Sequence, residues 1–282
     1  MVVVGSAAGR KTSPGPIVAA VTDLDGTLLR SDGTLSLFTR SVFLGLQRKG
    51  VPLVVATART PRAMRRISGY QDLGVVVCAN GTIVWDASCD AVIAERCFDA
   101  ATLIEALERV RAALPAAGFA VLSADTMFID NTYRHLRGNG TKDAELVADV
   151  TAVAERERIA MVALRHPDRV AAEFIDATTH AFGNVGAASY ASVPTVDICP
   201  AGNAKPITVA EVLSQRGCPP EATVAFGDMP NDLPLRAWAG RAYAVRNAHH
   251  DVLQIADEVI PSNDDDGVAR TLHRLFQLAV TA

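Results

Sequence analysis

Ile17-Val18-Ala19-Ala20-Val21-Thr22-Asp23-Leu24-Asp25-Gly26-Thr27-Leu28-Leu29 is the stretch on which the fold turns. Its first five residues are apolar and rich in β-branched side chains. A short run of that kind reads as a strand buried on both faces of a parallel sheet. The run then breaks into polar residues: Thr22, carboxylates at Asp23 and Asp25, and Gly26, which frees the backbone to turn tightly. Ligands of open α/β sheets sit beyond the carboxyl ends of the strands, so this strand is expected to deliver an acid pair to a site. Residues two apart on an extended segment point to the same side, which places Asp23 and Asp25 together. Two carboxylates there repel and are costly to desolvate unless a cation joins them.

Outward from this segment, residues 35–49 show helical spacing and stop at Gly50, and 51–56 read as a second buried strand. Pro61 sits in the first turn of a helix running through Arg65 and Ile67, and 75–78 form a third strand. This alternation predicts an α/β fold with a doubly wound, Rossmann-like parallel sheet. The rhythm changes after Asn80-Gly81. Residues 82–85 and 91–94 read as a hairpin, 100–114 as an amphipathic helix, 119–122 and 127–129 as paired strands, 142–156 as a helix, and 159–164 and 170–175 as strands. An α+β cap domain inserted at 97–188 is the expectation, between core segments 14–96 and 189–282. The α/β rhythm resumes with a strand at 195–198, a helix at 205–216, a strand at 223–226, a short helix at 232–239, strands at 242–245 and 258–260, and a last helix at 268–278. Residues 1–13 read as a disordered lead-in without the apolar region of a secretory signal.

Composition narrows the function. The 282 residues are 49% hydrophobic and 21% charged, which supports a sizeable globular core. A net charge of -4 argues against nucleic acid as a main partner. No apolar run approaches the ~18 residues of a membrane span, so no membrane partner is expected. The cysteines, Cys78, Cys89, Cys97, Cys199 and Cys218, are odd in number and include no C-x-x-C pair. They read as reduced thiols of a cytoplasmic protein, with no structural zinc site.

The pattern gathers chemistry from distant parts of the chain. The strands at 17–21, 51–56 and 223–226 run into Asp23, Thr57 and Gly227-Asp228-Met229-Pro230-Asn231-Asp232. Parallel pairing would bring these strand ends together. A cluster of hard carboxylate donors suits Mg2+, which takes few protein ligands and keeps waters for a phosphate partner. Such an ion would screen an anionic nucleophile from an anionic substrate. Lys205 opens a helix with Pro206 in its first turn, and a helix N-terminus already favours anions.

These residues resemble, in order, the motifs of the haloacid dehalogenase superfamily. Asp23-Leu24-Asp25-Gly26-Thr27-Leu28-Leu29 resembles motif I in its phosphatase form, Thr57 the motif II threonine, Lys205 the motif III lysine, and Gly227–Asp232 the G-D-x-x-N-D form of motif IV. Asn80-Gly81, Asn247-Ala248, Ala256-Asp257 and Asn263-Asp264-Asp265-Asp266-Gly267-Val268 are similar to the Cof-type subgroup, whose α+β (type IIB) cap lies where the insert falls. The resemblance implies a Mg2+-dependent phosphatase acting on small phosphate monoesters, sugar phosphates first and phosphorylated cofactors such as pyridoxal phosphate or flavin mononucleotide next. Asp23 would be the nucleophile and Asp25 the general acid and base. Thr57, Lys205 and Asn231 would hold the phosphoryl group. Asp23, Asp228, Asp232 and the carbonyl of Asp25 would serve the metal. Ala58, Arg59, Asn80 and Gly81 are candidate substrate contacts.

Three positions depart from the pattern: Ala58 stands where the subgroup has glycine, Arg246 stands where glycine is common, and Pro206 follows Lys205. A phosphomutase or phosphotransferase, passing the phosphoryl group to a sugar hydroxyl, stays open as an alternative, as does a non-catalytic binder of a phosphorylated metabolite. Elsewhere His249-His250 read as surface residues, the acidic triplet 264–266 as a loop or cap, and Trp85 and Phe119 as core. Asp130, Arg134 and His135 are the cap's candidates for substrate contact, weighed against a plain surface role.

Overall fold

The computed structural model describes residues 15–192 and 194–279, so the lead-in expected at 1–13 lies outside the described residues. β1 (Ala19–Asp23) is buried along its whole length. Ser36 caps α1 (Leu37–Arg48), its hydroxyl accepting from the Thr39 amide at 2.9 Å, and Val42, Phe43 and Leu46 face the sheet. β2 (Leu53–Ala56), the one-turn α2 (Pro61–Met64) and β3 (Val75–Cys78) follow, and then the antiparallel β4 (Ile83–Asp86) and β5 (Ala91–Glu95).

The insert builds a second sheet. α3 (Ala100–Ala113) leads into β6 (Gly118–Leu122), β7 (Met127–Ile129), α4 (Asn131–Arg137), β8 (Glu145–Leu146), α5 (Val150–Ala154), β9 (Met161–Arg165), α6 (Ala171–Phe182), β10 (Gly186–Ser192) and β11 (Thr195–Pro200). The chain then returns to the first sheet through α7 (Lys205–Ser214), β12 (Thr223–Gly227), α8 (Leu233–Trp238), β13 (Arg241–Val245), α9 (His250–Gln254), β14 (Glu258–Ile260) and α10 (Gly267–Phe276).

The first sheet runs β14-β13-β12-β1-β2-β3-β4-β5, parallel from β14 to β3. Side chains of α1 and α10 pack on one face, and Val209 and Leu213 of α7 with Leu235 of α8 pack on the other. Helices on both faces of a parallel sheet make the doubly wound fold that the sequence predicts. The second sheet runs β10-β11-β9-β6-β7-β8 and is antiparallel except for β7 with β8.

Three sequence expectations need correction. The strand expected in the core at 195–198 is β11, which pairs with β10 and β9 in the second sheet. A parallel core strand and a central antiparallel strand carry similar apolar runs, so periodicity cannot separate them. Residues 170–175 begin the helix α6, in which Ala171, Phe174, Thr178, Ala181 and Phe182 are buried at helical spacing. The Val170 amide donates to the Glu173 carboxylate at 3.2 Å, fixing that helix start. The helix expected at 142–156 is broken: 145–146 pair with β7, and Asp149, extended, caps α5 by accepting from Thr151. A short aspartate that can bond its own following backbone favours such a cap over a helix interior.

Candidate active site

Register explains how three distant residues meet. Asp23 lies opposite Ala56 on β2, and Thr22 opposite Phe226 on β12. The next residues, Thr57 and Asp228, therefore leave the same edge as Asp23. Lys205 reaches them from the N-terminus of α7. Its buried ammonium donates to Asp23 Oδ1 at 2.7 Å and to Asp232 Oδ1 at 3.2 Å. Asp232 Oδ2 accepts from the amides of Asp228 and Met229 at 3.3 and 3.4 Å. Asp232 thus ties the lysine to the loop after β12.

Gly26 and Gly227 let the two acidic segments come this close. Gly26 has φ +76°, and a Cβ there would lie 2.4 Å from Asp228 Oδ2. A Cβ on Gly227 would lie 2.8 Å from the Cβ of Asp232. Thr27 Oγ donates to Asp228 Oδ1 at 2.7 Å. The Asn residues of the C-terminal signature hold the turn itself: the Asn247 amide donates to the Gly26 carbonyl at 2.7 Å, Asn263 N–H to Asn247 Oδ1 at 3.0 Å, and the Asn263 amide to the Leu29 carbonyl at 2.8 Å. The acidic triplet nearby acts structurally, with Asp266 bridging to Arg30 and Asp264 to Ser31.

Electrostatics follow from burial. Asp23 is held well above the usual carboxylate range, first by desolvation and then by the charge of Asp232, with Lys205 pulling the other way. Asp228 is pushed up to about 6 by burial, opposed by the Thr27 hydrogen bond and reinforced by Asp232 and Asp25. Carboxylate oxygens of Asp23, Asp228 and Asp232 lie within 4.8 Å of one another. One lysine cannot neutralise three such acids. An all-oxygen donor set with excess negative charge fits a hard divalent cation such as Mg2+.

Asp25 corrects the same-side expectation. β1 ends at Asp23, Leu24 turns into the core, and the Asp25 side chain is 52% exposed while that of Asp23 is 10% exposed. Asp25 takes a two-pronged bond from Arg59, at 2.9 Å from Nε and 2.5 Å from Nη2. It stays close enough for its charge to raise Asp228.

Thr57 is buried, its hydroxyl accepts from the Arg59 amide at 3.1 Å, and its carbonyl accepts from Asn80 N–H at 3.0 Å. Ala58 is half-buried and is not among the residues with positive φ, so its extra methyl is accommodated without left-handed strain. Asn80 is left-handed at φ 55°. Gly81 presses on α7: a Cβ there would lie 2.7 Å from the Ala204 carbonyl, and the Gly81 carbonyl accepts from Thr208 at 2.6 Å. It serves packing beside Lys205. Asn231 Oδ1 is buried with no hydrogen-bond partner among the described residues. His249 and His250 lie at the surface with Asp251, and Asp130 is occupied capping α4.

Between the two sheets lies a cavity of about 250 Å³, lined by Asn80, Lys205 and Asn231 from one side and by Ala187, Ser189 and Cys199 from the other. The wall supplied by β10 and β11 was not foreseen from the sequence. Strict alternation of Val196 and Ile198 against Asp197 and Cys199 was the available signal.

Comparisons with known proteins show what the chain is similar to. The chain is 27% identical over 275 residues to 5-amino-6-(5-phospho-D-ribitylamino)uracil phosphatase YitU of Bacillus subtilis (strain 168), covering 91% of this chain and 96% of that protein. It is 26% identical over 270 residues to pyridoxal phosphate phosphatase YbhA of Escherichia coli (strain K12), covering 89% and 96%. Among solved structures, SMU.1108c from Streptococcus mutans UA159 shares the fold with a TM-score of 0.82 at 20% identity, over 93% of this chain and 99% of that one. The model of the haloacid dehalogenase-like hydrolases matches residues 20–272, nearly the whole described chain, and the chain belongs to that family.

Proposed function

We propose that this protein is a Mg2+-dependent phosphatase of small phosphate monoesters and works through an aspartyl-phosphate on Asp23. The observation that carries the reading is the buried contact of Lys205 Nζ with Asp23 Oδ1 at 2.7 Å, beside Asp228 and Asp232. The lysine engages one oxygen of Asp23 and leaves the other for attack on phosphorus. As the new bond forms, the ester P–O bond breaks and the departing alkoxide takes a proton from Asp25. Water then attacks the phosphoryl group, giving a proton to Asp25, and inorganic phosphate leaves while Asp23 is restored.

Thr57 and Lys205 stabilise charge on the phosphoryl oxygens, the main demand of this transfer. Asn231, which lines the cavity beside Lys205, supplies a further contact through its amide N–H donors. Asp23, Asp228 and the Asp25 carbonyl would hold Mg2+, which when bound supplies Lewis-acid neutralisation of the gathered anions. Asp232, with both oxygens engaged, orients Lys205. The relatives named as phosphatases of a phosphoribityl compound and of pyridoxal phosphate support small phosphorylated metabolites as the class. No helix of the described residues is long and apolar enough to cross a membrane.

The test is phosphate release from a broad ester panel with Mg2+, in parallel with Asp23→Asn. Turnover is expected to fall by at least about 10³-fold in that variant with the fold intact. Near-normal activity there would move the nucleophile elsewhere. An isomerised sugar phosphate without free phosphate would make the protein a mutase, and tight binding without turnover would make it a sensor.

A further inference from the structure

We infer that Arg236 is a positioning residue of the reaction: from inside the fold, its charge and its bond to α9 hold the loop 227–232 so that Asp232 keeps Lys205 shared with Asp23. The inference rests on the phosphatase reading and adds a residue to the support of that site.

Arg236 lies in α8 and is only 2% exposed. Asp232 immediately precedes α8, four residues earlier, and side chains at that spacing share one side of a helix. Arg236 Nη1 donates to the Val252 carbonyl in α9 at 2.8 Å. His249, the residue before α9, donates its amide N–H to the Asp228 carbonyl at 2.8 Å. A ring of contacts therefore runs from Asp228 through α9 and Arg236 to the helix that Asp232 begins. It closes around the loop that carries two of the three buried acids. Within that loop Asp232 Oδ1 accepts from Lys205 at 3.2 Å, so a shift of Asp232 is passed to the lysine that engages Asp23.

The arginine is poorly served by its own surroundings. Its Nε and Nη2 are buried with no hydrogen-bond partner among the described residues. A guanidinium keeps its charge even so. Burial lowers its hold on the proton, opposed by the nearby charges of Asp232 and then Asp257. A buried charge of this kind is weak support for a fold, since an apolar side chain of similar volume is often as stable or more so. Its use lies in the field it sets up. Asp232 repels both Asp23 and Asp228 and raises their carboxyls. A cation near Asp232 offsets that repulsion, and it does so without entering the cavity, which Lys205 and Asn231 line and Arg236 does not. Arg236 thus acts through Asp232 and Lys205, with no contact to substrate.

The experiment measures kcat, KM and urea unfolding for the parent, Arg236→Met and Arg236→Lys, with p-nitrophenyl phosphate and a hexose phosphate at saturating Mg2+. Arg236→Met should unfold at a urea midpoint equal to or above that of the parent. Its kcat should nevertheless fall about tenfold or more with KM within about twofold, because a displaced Lys205 is felt most in the transition state. Arg236→Lys keeps the charge without the fork and should recover part of the lost kcat. An Arg236→Met protein that fails to fold, or in which midpoint and kcat fall together, makes the arginine merely structural and overturns the inference. A kcat within about twofold of the parent in Arg236→Met, or no recovery in Arg236→Lys, overturns it as well. Each of these outcomes leaves the phosphatase reading standing. A parent that hydrolyses no ester of a broad panel overturns that reading and this inference with it.

Discussion

The carboxyl edge of the first sheet and the inward face of the second both bury acid, and they treat it differently. At the first, Asp23 and Asp232 share the ammonium of Lys205 within 3.2 Å, and backbone amides fill the remaining oxygen of Asp232. At the second, Asp197 has cations near it that bond to other groups. The first arrangement gives its acids a bonded cation and backbone donors. At the second, burial raises the Asp197 carboxyl and the nearby cations offset this only in part. One chain thus buries acid with a bonded cation in one place and without one in another.

The largest way to break this contrast is Lys205→Met. It removes the ammonium bonded to the buried Asp23 and Asp232. Breaking a buried pair from one side costs about 3–5 kcal/mol, to be read by denaturant unfolding, and kcat should fall by at least about 10³-fold. Loss of activity with unchanged stability would mean that the acids relax or take up protons easily, and the first site would then be no more self-sufficient than the second.

Gly26→Ala tests the same site by geometry alone. Its left-handed backbone would cost about 1–2 kcal/mol with a side chain, and the new methyl would strike Asp228. Gly33→Ala is the control, because Gly33 has φ +79° with nothing within 4 Å of its Cβ. Both variants should lose similar stability from strain. Only Gly26→Ala should lose activity, by about tenfold or more, because a misplaced group at a reacting centre is costly. Equal activity in the two would show that the close approach of Gly26 to Asp228 is dispensable.

The sequence made the first site legible and left the second mostly hidden, for a physical reason. Asp23, Thr57 and Asp228 follow short buried strands, and parallel pairing of such strands can place their ends in only one way. Lys205 was legible because a helix start beside an acid cluster is a recognisable anion site. The same logic missed the exposure of Asp25, because the chain turns at Leu24 where an extended segment would keep both acids on one side. Asp197 stayed hidden because its strand was assigned to the wrong sheet: the alternation 196–199 says that one face is polar but not which sheet it borders. The roles of Asn247 and Asn263 likewise depend on a turn more than 200 residues away in sequence, which no local pattern shows.

The smallest effect sharpens the contrast most, because it isolates a single buried acid. Burial pushes the Asp197 carboxyl in the folded protein up to about 6, above the usual carboxylate range. The folded state therefore holds its proton where the unfolded chain has released it. For a group raised in this way, the favourable contribution is fully present below about pH 4 and is lost as pH rises through about 6. Asn cannot ionise, so Asp197→Asn should match the parent near pH 4 and exceed it by a few degrees in Tm above about pH 7. Differencing the two proteins at each pH cancels the other titrating groups. A gain that is constant across pH would come from packing alone, and Asp197 would then be an ordinary half-buried residue. A gain confined to neutral and alkaline pH is what a buried acid whose neighbouring cations bond to other groups requires.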